Sequence, residues 1–182
     1  MPGMARALVL VNGLPGAGKS TLAPALAVEL DALALSKDQI KEALADAVDP
    51  ALAGALGGVA MAAVWSLAAS HSGTVVVDSW WFRPRDLDHA REGIARTGAR
   101  AAVEVWCEAP VEVVRARVAG RARHPVHGDG HRLATDWPRW AAEAAPLALT
   151  PVVRVDTGGP VEVAALGRTV RELLATASFQ AR

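Results

Sequence analysis

The stretch that decides the fold is Ala5-Arg-Ala-Leu-Val-Leu-Val11-Asn-Gly13-Leu-Pro-Gly-Ala-Gly18-Lys19-Ser20. Its first part, Ala5–Val11, is short, apolar and partly β-branched, which is typical of a buried strand. A glycine-rich loop, Gly13–Ser20, comes next, and a helix is predicted from Lys19 to about Leu30. Pro24 lies inside that helix and is expected to bend it. Strand, glycine loop and helix in this order indicate the first unit of an α/β fold.

Strands and helices alternate along the rest of the chain. Further strands are predicted at Leu33–Leu35, Thr74–Val77, Ala101–Trp106 and Val152–Val155. Helices are predicted from Ser36 to about Val48, Pro50 to about Ser70, about Pro84 to Arg96, Pro110 to about Arg121, around Trp140–Ala145, and at the end of the chain. The polar stretch Ala122–Trp137 lacks periodicity, which predicts a loop or a lid at about residues 121–140. The alternation predicts an α/β fold with a parallel sheet covered on both faces.

Composition limits the possible classes of protein. The 182 residues fit one domain, 1–182, and the formal net charge is zero, which argues against non-specific binding to nucleic acid or an anionic membrane. A single cysteine, Cys107, cannot form an internal disulfide and favours a reducing compartment. No apolar run reaches the roughly 18 residues of a membrane span. We therefore expect a cytoplasmic protein, a monomer or a homodimer, with no membrane partner.

The loop Gly13-x-x-x-x-Gly18-Lys19-Ser20 matches the pattern that binds nucleotide phosphates. Its glycines let successive backbone N–H groups point at phosphate oxygens, and the following helix directs its positive end to the same place. Lys19 is expected to reach the β- and γ-phosphates, and the hydroxyl of Ser20 to hold Mg²⁺. The residues predicted to bind ATP in this segment are Gly13, Leu14, Pro15, Gly16, Ala17, Gly18, Lys19, Ser20 and Thr21.

Asp78 ends the apolar strand Thr74–Val77. In phosphate-loop proteins an acid in this setting holds Mg²⁺, directly or through water. Ser20 and Asp78 are therefore the predicted metal residues. The alternative is that Asp78 only caps the segment after the strand.

Four features in this order resemble the small P-loop kinases of the nucleotide-kinase type. They are the loop Gly13–Thr21, the stretch Leu35-Ser-Lys-Asp38-Gln-Ile-Lys41-Glu42, the strand ending at Asp78, and the arginine-rich region around Arg121. Similar proteins include chloramphenicol phosphotransferase, the zeta toxins, gluconate kinase and the polynucleotide kinase domain. The resemblance implies a five-stranded parallel sheet in the order 2-3-1-4-5, with a mobile lid.

The resemblance also implies a role for Asp38 as the general base that takes the proton of the acceptor hydroxyl. A carboxylate at this position can orient a hydroxyl for in-line attack. The alternative is that Asp38 only stabilises the N-terminus of its helix. Lys41, one turn further on, is expected either to contact the substrate or to be a solvated helix residue.

The lid region is rich in arginine, and arginines stabilise the charge that spreads over oxygens during phosphoryl transfer. Arg121 and Arg123 are predicted to contact phosphate, Arg121 as part of the catalytic set. Arg117, on the same helical face as Arg121, is predicted to contact phosphate or to stack on adenine. After the last strand, Thr157 and Gly158 either border adenine, as in related kinases, or only form a turn.

Several side chains are predicted to contact the acceptor, and they are Asp38, Lys41, Trp80, Trp81, Arg83, His124 and His127. Trp80, Trp81 and Phe82 directly follow Asp78, and we expect one of the three to pack in the core instead. The histidines of the lid suggest substrate contact or lid closure, with zinc as the alternative that their loose spacing and the lack of cysteine support disfavour.

Three functions are consistent with these residues. The first is transfer of the ATP γ-phosphate to a hydroxyl of a small molecule. The second is the same chemistry on a polynucleotide or a nucleoside, and the neutral net charge argues against a nucleic-acid acceptor. The third is a nucleotide-binding regulatory ATPase without an acceptor. The sequence does not identify the acceptor.

Overall fold

A computed structural model describes residues 6–177 and contains five parallel strands in the order β2-β3-β1-β4-β5. The strands are β1 (Ala7–Asn12), β2 (Leu33–Ser36), β3 (Thr74–Asp78), β4 (Ala101–Glu108) and β5 (Val152–Asp156). The predicted fold class and strand order are confirmed. The predicted first residue of β1, Ala5, lies outside the described residues.

Eight α-helices connect or follow these strands within residues 6–177. They are α1 (Lys19–Leu30), α2 (Lys37–Ala47), α3 (Leu56–Ser70), α4 (Arg83–Thr97), α5 (Val111–Gly120), α6 (Asp129–Thr135), α7 (Trp137–Glu143) and α8 (Val163–Thr176). Pro24 lies inside α1, as predicted, and the helix continues through it. None of these helices has the length and apolarity that crossing a bilayer requires.

Two segments differ from the sequence-based prediction. Pro50 begins a short 3-10 turn, Pro50–Leu52, and α3 starts only at Leu56, because the stretch around Gly54 interrupts the predicted long helix. The predicted loop in the lid contains a second 3-10 turn, Pro125–His127, and the short helix α6. These elements are too short and polar to give a periodic pattern, so the sequence did not reveal them.

The sheet separates two apolar layers. Successive residues of β1 alternate between them, so that Val9 and Val11 pack on the side of α1, while Leu8 and Leu10 pack on the side of α3. Because all five strands are parallel, their carboxyl ends meet at one edge of the sheet. In open sheets of this kind ligands bind at that edge.

Candidate active site

The loop that follows β1 has a backbone that only glycine adopts easily. Gly13, Gly16 and Gly18 have φ angles of 145°, 85° and 82°. A Cβ atom on Gly13 would lie 2.4 Å from the carbonyl oxygen of Cys107, and one on Gly16 would lie 2.6 Å from that of Val114. The loop therefore requires glycine both for its curvature and for its close approach to β4 and α5.

Lys19 closes this loop on itself. Its Nζ atom donates hydrogen bonds to the carbonyl oxygens of Gly13 (2.8 Å) and Leu14 (2.9 Å), and the residue is 7% exposed. Burial lowers the pKa of the Lys19 ammonium, while Asp78 and Asp38 act in the opposite direction. A buried cation beside inward-curving backbone suits an anionic ligand such as phosphate.

A buried polar network, which the sequence-based reasoning missed, supports the start of the loop. The Oδ1 atom of Asn12 accepts hydrogen bonds from the backbone N–H groups of Gly13 (2.8 Å) and Trp81 (3.1 Å). Its Nδ2 atom donates to Glu104 (2.9 Å), which also accepts from the N–H groups of Leu147 and Ala148. A glutamate inside the apolar strand β4 was the signal that could have revealed this network.

Asp78 lies directly behind the phosphate loop and is 4% exposed. The hydroxyl of Ser36 donates to its Oδ2 atom at 3.3 Å, and the Ser20 hydroxyl lies near enough to lower the pKa of Asp78. Burial raises the pKa of the Asp78 carboxyl, against the opposing effects of the Lys19 charge and of these hydroxyls. Hydroxyl and carboxylate oxygens are the hard ligands that Mg²⁺ prefers, so Ser20 and Asp78 form a donor set that fits this ion.

Asp38 lies in the first turn of α2, whose N-terminus Ser36 caps by accepting from the N–H group of Gln39 (3.5 Å). The Asp38 carboxylate forms an ion pair with Arg123 and lies 3.8 Å from the ammonium of Lys37. Burial acts to raise the pKa of Asp38, but Arg123 and Lys37 outweigh it and hold that pKa below its ordinary value. The carboxylate is therefore ionised at neutral pH.

The lid, residues 121–140, rests on α2 through a row of polar contacts. Besides the Arg123–Asp38 pair, Lys41 donates to the carbonyl oxygen of Val126 (2.9 Å), and His127 contacts Glu42 (2.7 Å). Arg121 pairs within the lid with Asp129 at 2.9 Å. Arg117 of α5 donates instead to the carbonyl oxygen of Thr157. These contacts bring lid, α2 and the loop after β5 around one space.

That space is a cavity of about 1580 Å³. The predicted site residues on its wall are Pro15, Gly16, Gly18, Lys19, Ser20, Thr21, Asp38, Lys41, Trp80, Trp81, Arg117, Arg121, Arg123, His127 and Thr157. Gly13, Leu14 and Ala17 of the loop do not line the cavity, and neither does Asp78, which accepts a hydrogen bond from Ser36. In place of Gly158, its neighbour Gly159 faces the cavity. Most residues predicted from separate parts of the sequence therefore meet in one place.

Two predicted substrate residues lie outside this cavity. Arg83 begins α4, and its Nε atom donates to the carbonyl oxygen of Leu147. Arg85, on the opposite side of the same helix, lines the cavity instead. A shift of two positions turns a helical side chain by about 200°. His124 caps the 3-10 turn of the lid and contacts the exposed Asp46. The structure therefore does not bring these two residues to the cavity, and their contact with the acceptor stays a prediction.

The aromatic residues after β3 are more deeply packed than expected. Trp81 and Phe82 are 3% and 2% exposed, so that two of the three predicted aromatics belong to the core. Trp81 stacks on Trp65 of α3, with ring centroids 6.1 Å apart, and both rings reach the cavity wall. Trp80 packs between Phe82 and Trp140 of the lid. The aromatics therefore form a rigid wall of the cavity.

Residues 8–137 match a protein family described as AAA domain. Uncharacterized proteins of Mycobacterium tuberculosis (strain H37Rv) and Mycobacterium bovis are each 32% identical over 170 residues, which covers 85% of this chain and 32% of each relative. The chain thus spans about a third of the length of these relatives.

Several solved structures with a similar fold are described as kinases. A candidate kinase from Chloroflexus aurantiacus has a TM-score of 0.77 and 26% identity, covering 94% of this chain and 100% of that one. A gluconokinase from Sinorhizobium meliloti has a TM-score of 0.55 and 22% identity, covering 94% and 91%. A shikimate kinase from Acinetobacter baumannii has a TM-score of 0.54 and 18% identity, covering 96% and 95%.

Proposed function

Because the chain belongs to the AAA domain family and is a small P-loop protein of the nucleotide-kinase type, we propose that it transfers the γ-phosphate of ATP to a hydroxyl of a small molecule. The observation that carries this proposal is the arrangement around Asp38. The ionised carboxylate of Asp38 shares a cavity with the phosphate loop and with four arginines from α5 and the lid. A nucleotide switch needs the loop but has no use for such a carboxylate.

In the proposed reaction, Asp38 accepts the proton of the acceptor hydroxyl as the hydroxyl oxygen bonds to the γ-phosphorus. The bond between that phosphorus and the β–γ bridging oxygen breaks, and ADP leaves with the electron pair. Asp38 then releases its proton to solvent. The low pKa of Asp38 makes it a weak base, so its main contribution is to orient the hydroxyl for in-line attack.

The cations of the site stabilise the charge that develops on the transferred group. In proteins with this motif the lysine contacts the β- and γ-phosphates. The hydrogen bonds of Lys19 to the carbonyl oxygens of Gly13 and Leu14 keep its ammonium at the loop, which supports this role. Arg121 and Arg123 reach the cavity from the lid, and Arg117 is fixed beside Thr157. Fixed cations in a cavity with little water are worth far more to a transition state than solvated ones.

Ser20 and Asp78 are the residues that would hold Mg²⁺. When bound, this ion neutralises phosphate charge and orients the phosphate chain. Asp78 already accepts a hydrogen bond from Ser36 and lies close to Ser20, so its orientation is fixed before any ion arrives.

Replacement of Asp38 by Asn tests the proposal. Phosphate transfer should be measured with ATP and Mg²⁺ against a panel of sugars, nucleosides and hydroxy acids, together with ATP affinity. Replacing the carboxylate removes the charged group that orients the hydroxyl as well as the proton acceptor, and losses of this kind cost about 10²- to 10⁴-fold in rate. We therefore expect Asp38→Asn to lose at least 100-fold in turnover, with ATP affinity changed by only a few-fold.

Asp46→Asn is the matched control, because Asp46 lies on the same helix and its side chain is 74% exposed. We expect this variant to keep full turnover. If Asp38→Asn turned over as fast as Asp46→Asn, Asp38 would have no part in the reaction. If ATP hydrolysis persisted and no acceptor were phosphorylated, the regulatory ATPase would be the better description.

A further inference from the structure

In addition to Asp38 and the phosphate loop, a cluster of positive side chains lines the cavity. The basic cluster consists of Lys37 and Lys41 of α2, Arg85 of α4 and Arg132 of α6. All four line the cavity, although they come from three separate helices. The chain as a whole has a net charge of zero, so this concentration of one sign is local.

Carboxylates compensate this cluster only in part. Arg85 pairs with Asp86 at 2.7 Å. Lys37 lies 3.8 Å from Asp38, but that carboxylate already pairs with Arg123. Within residues 6–177, neither Lys41 nor Arg132 has a carboxylate oxygen within 4 Å. The Arg132 guanidinium lies 5.9 Å from the ring centroid of Trp140, and Lys41 donates only to a backbone carbonyl.

The members of the cluster repel one another. Burial lowers the pKa of the Lys37 ammonium, and Asp38 opposes this effect while Arg85 and Arg132 add to it. Burial likewise lowers the pKa of the Lys41 ammonium, and the positive charges of Lys37 and Arg132 lower it further. Lys41 is buried and Lys37 is half-buried, whereas Arg85 and Arg132 are exposed. Positive charges close to these two ammonium groups cost free energy, and an anion placed among them recovers it.

The basic cluster and the phosphate loop belong to different elements of the cavity wall. The loop follows β1, whereas α2, α4 and α6 contribute the cluster. Asp38 lies next to both groups of cations, because its carboxylate is 3.8 Å from the ammonium of Lys37 and pairs with Arg123 of the lid. The loop suits the phosphates of the nucleotide, and the cluster lines the same cavity beside the residue proposed to receive the acceptor hydroxyl.

We propose that the basic cluster binds a carboxylate or phosphate group of the acceptor, so that the substrate is a hydroxylated small-molecule anion. This proposal rests on the proposed function, since it places the acceptor hydroxyl at Asp38. Within residues 6–177, Arg132 and Lys41 supply positive charge that is not paired with a carboxylate, and Arg85 of α4 adds a planar guanidinium that also pairs with Asp86. A guanidinium binds carboxylate and phosphate with two parallel hydrogen bonds, which fixes orientation as well as charge.

The test compares matched acceptors. Hydroxy-carboxylates and hydroxy-phosphates are each paired with a neutral counterpart, the amide or the corresponding alcohol. Binding is measured by titration calorimetry with ADP and Mg²⁺ filling the nucleotide half of the cavity, and phosphate transfer is measured separately with ATP. We expect the charged members of one class to bind and their neutral counterparts to bind at least tenfold more weakly.

The matched variants are Arg132→Gln and Arg115→Gln. Arg115 is exposed on α5 and does not line the cavity, so its replacement is the control. Arg132→Gln should weaken binding of the anion by about tenfold or more, the usual effect of losing one charge-assisted contact, without changing ADP affinity. The carboxylate and phosphate arms of the panel show which anion the site accepts.

Each outcome decides between the two proposals. If anions bound to the unchanged protein but not to Arg132→Gln, and no phosphate were transferred, the anion site would be supported and the phosphotransferase refuted. Transfer to neutral acceptors that is unaffected by Arg132→Gln would support the phosphotransferase and overturn the anion site. Equal binding of charged and neutral members, or no binding across the panel, would also overturn the anion site.

Discussion

Replacing the buried Glu104 by Gln should destabilise the protein strongly, although the change alters only one atom. The carboxylate is fully buried in β4 and accepts three hydrogen bonds, from Asn12, Leu147 and Ala148, each at 2.9 Å. Two of them end on Oε1 and the third on Oε2. A glutamine offers one acceptor oxygen, so the N–H group facing its amide nitrogen meets a second donor.

The magnitude follows from these three bonds. One buried donor left without an acceptor costs about 1–3 kcal/mol, and two bonds that change from a charged to a neutral acceptor lose about 1 kcal/mol each. Removal of a buried charge offsets part of this loss. We therefore expect the free energy of unfolding to fall by about 3 kcal/mol. For a chain of this size that corresponds to a decrease in Tm of about 6–12 °C.

Glu108→Gln is the matched control, because Glu108 lies on the same strand but its side chain is 44% exposed and pairs with Arg154 at 2.8 Å. An exposed pair of this kind contributes about 0–1 kcal/mol. Both variants should be followed by thermal and urea unfolding. If Glu104→Gln lowered Tm no more than Glu108→Gln, the three hydrogen bonds would not support the site as described.

Two further predictions concern the phosphate loop and the strand behind it. Gly16→Ala should abolish ATP binding in a calorimetric titration, because the φ angle of Gly16 is positive and a Cβ atom there would lie 2.6 Å from the carbonyl oxygen of Val114. Gly120→Ala is the control and should bind ATP normally, because nothing lies within 4 Å of a Cβ atom at that position. Equal ATP affinities of the two variants would contradict this geometry. Burial raises the pKa of the Cys107 thiol to about 12 from 9.0. The buried, protonated thiol therefore contributes fully to the stability of the folded protein below pH 9, and this contribution is lost as the pH rises toward 12. Iodoacetamide should therefore leave the native protein unmodified at pH 8 and alkylate it in urea, and rapid native-state alkylation would refute this burial.

Local patterns predicted the elements that local sequence determines. The loop after β1 needs glycine and lysine at fixed spacing, and the buried strands are short apolar runs, so both were identified from the sequence alone. The strand order came from the resemblance to known kinases rather than from any pattern in the residues. The role predicted for Asp38 came from the same resemblance, in which an aspartate follows the second strand.

Contacts between distant residues could not be predicted in this way. The ion pair of Asp38 with Arg123 joins residues 85 positions apart, and Asn12 reaches Glu104 across 92 positions. Whether Arg83 or Arg85 faces the cavity depends on where α4 begins, because each helical position turns a side chain by about 100°. Such an error of one or two residues is the usual uncertainty of a helix boundary.

The stacked pair of Trp65 and Trp81 gives the molecule an optical reporter of its own. The chain contains six tryptophans and no tyrosine, so its near-ultraviolet absorption and emission arise almost entirely from indole rings. Two of these rings stack at the wall of the cavity, 6.1 Å apart, and a third, Trp80, contacts the lid through Trp140. Changes in that cavity should therefore alter circular dichroism and fluorescence of the unlabelled protein.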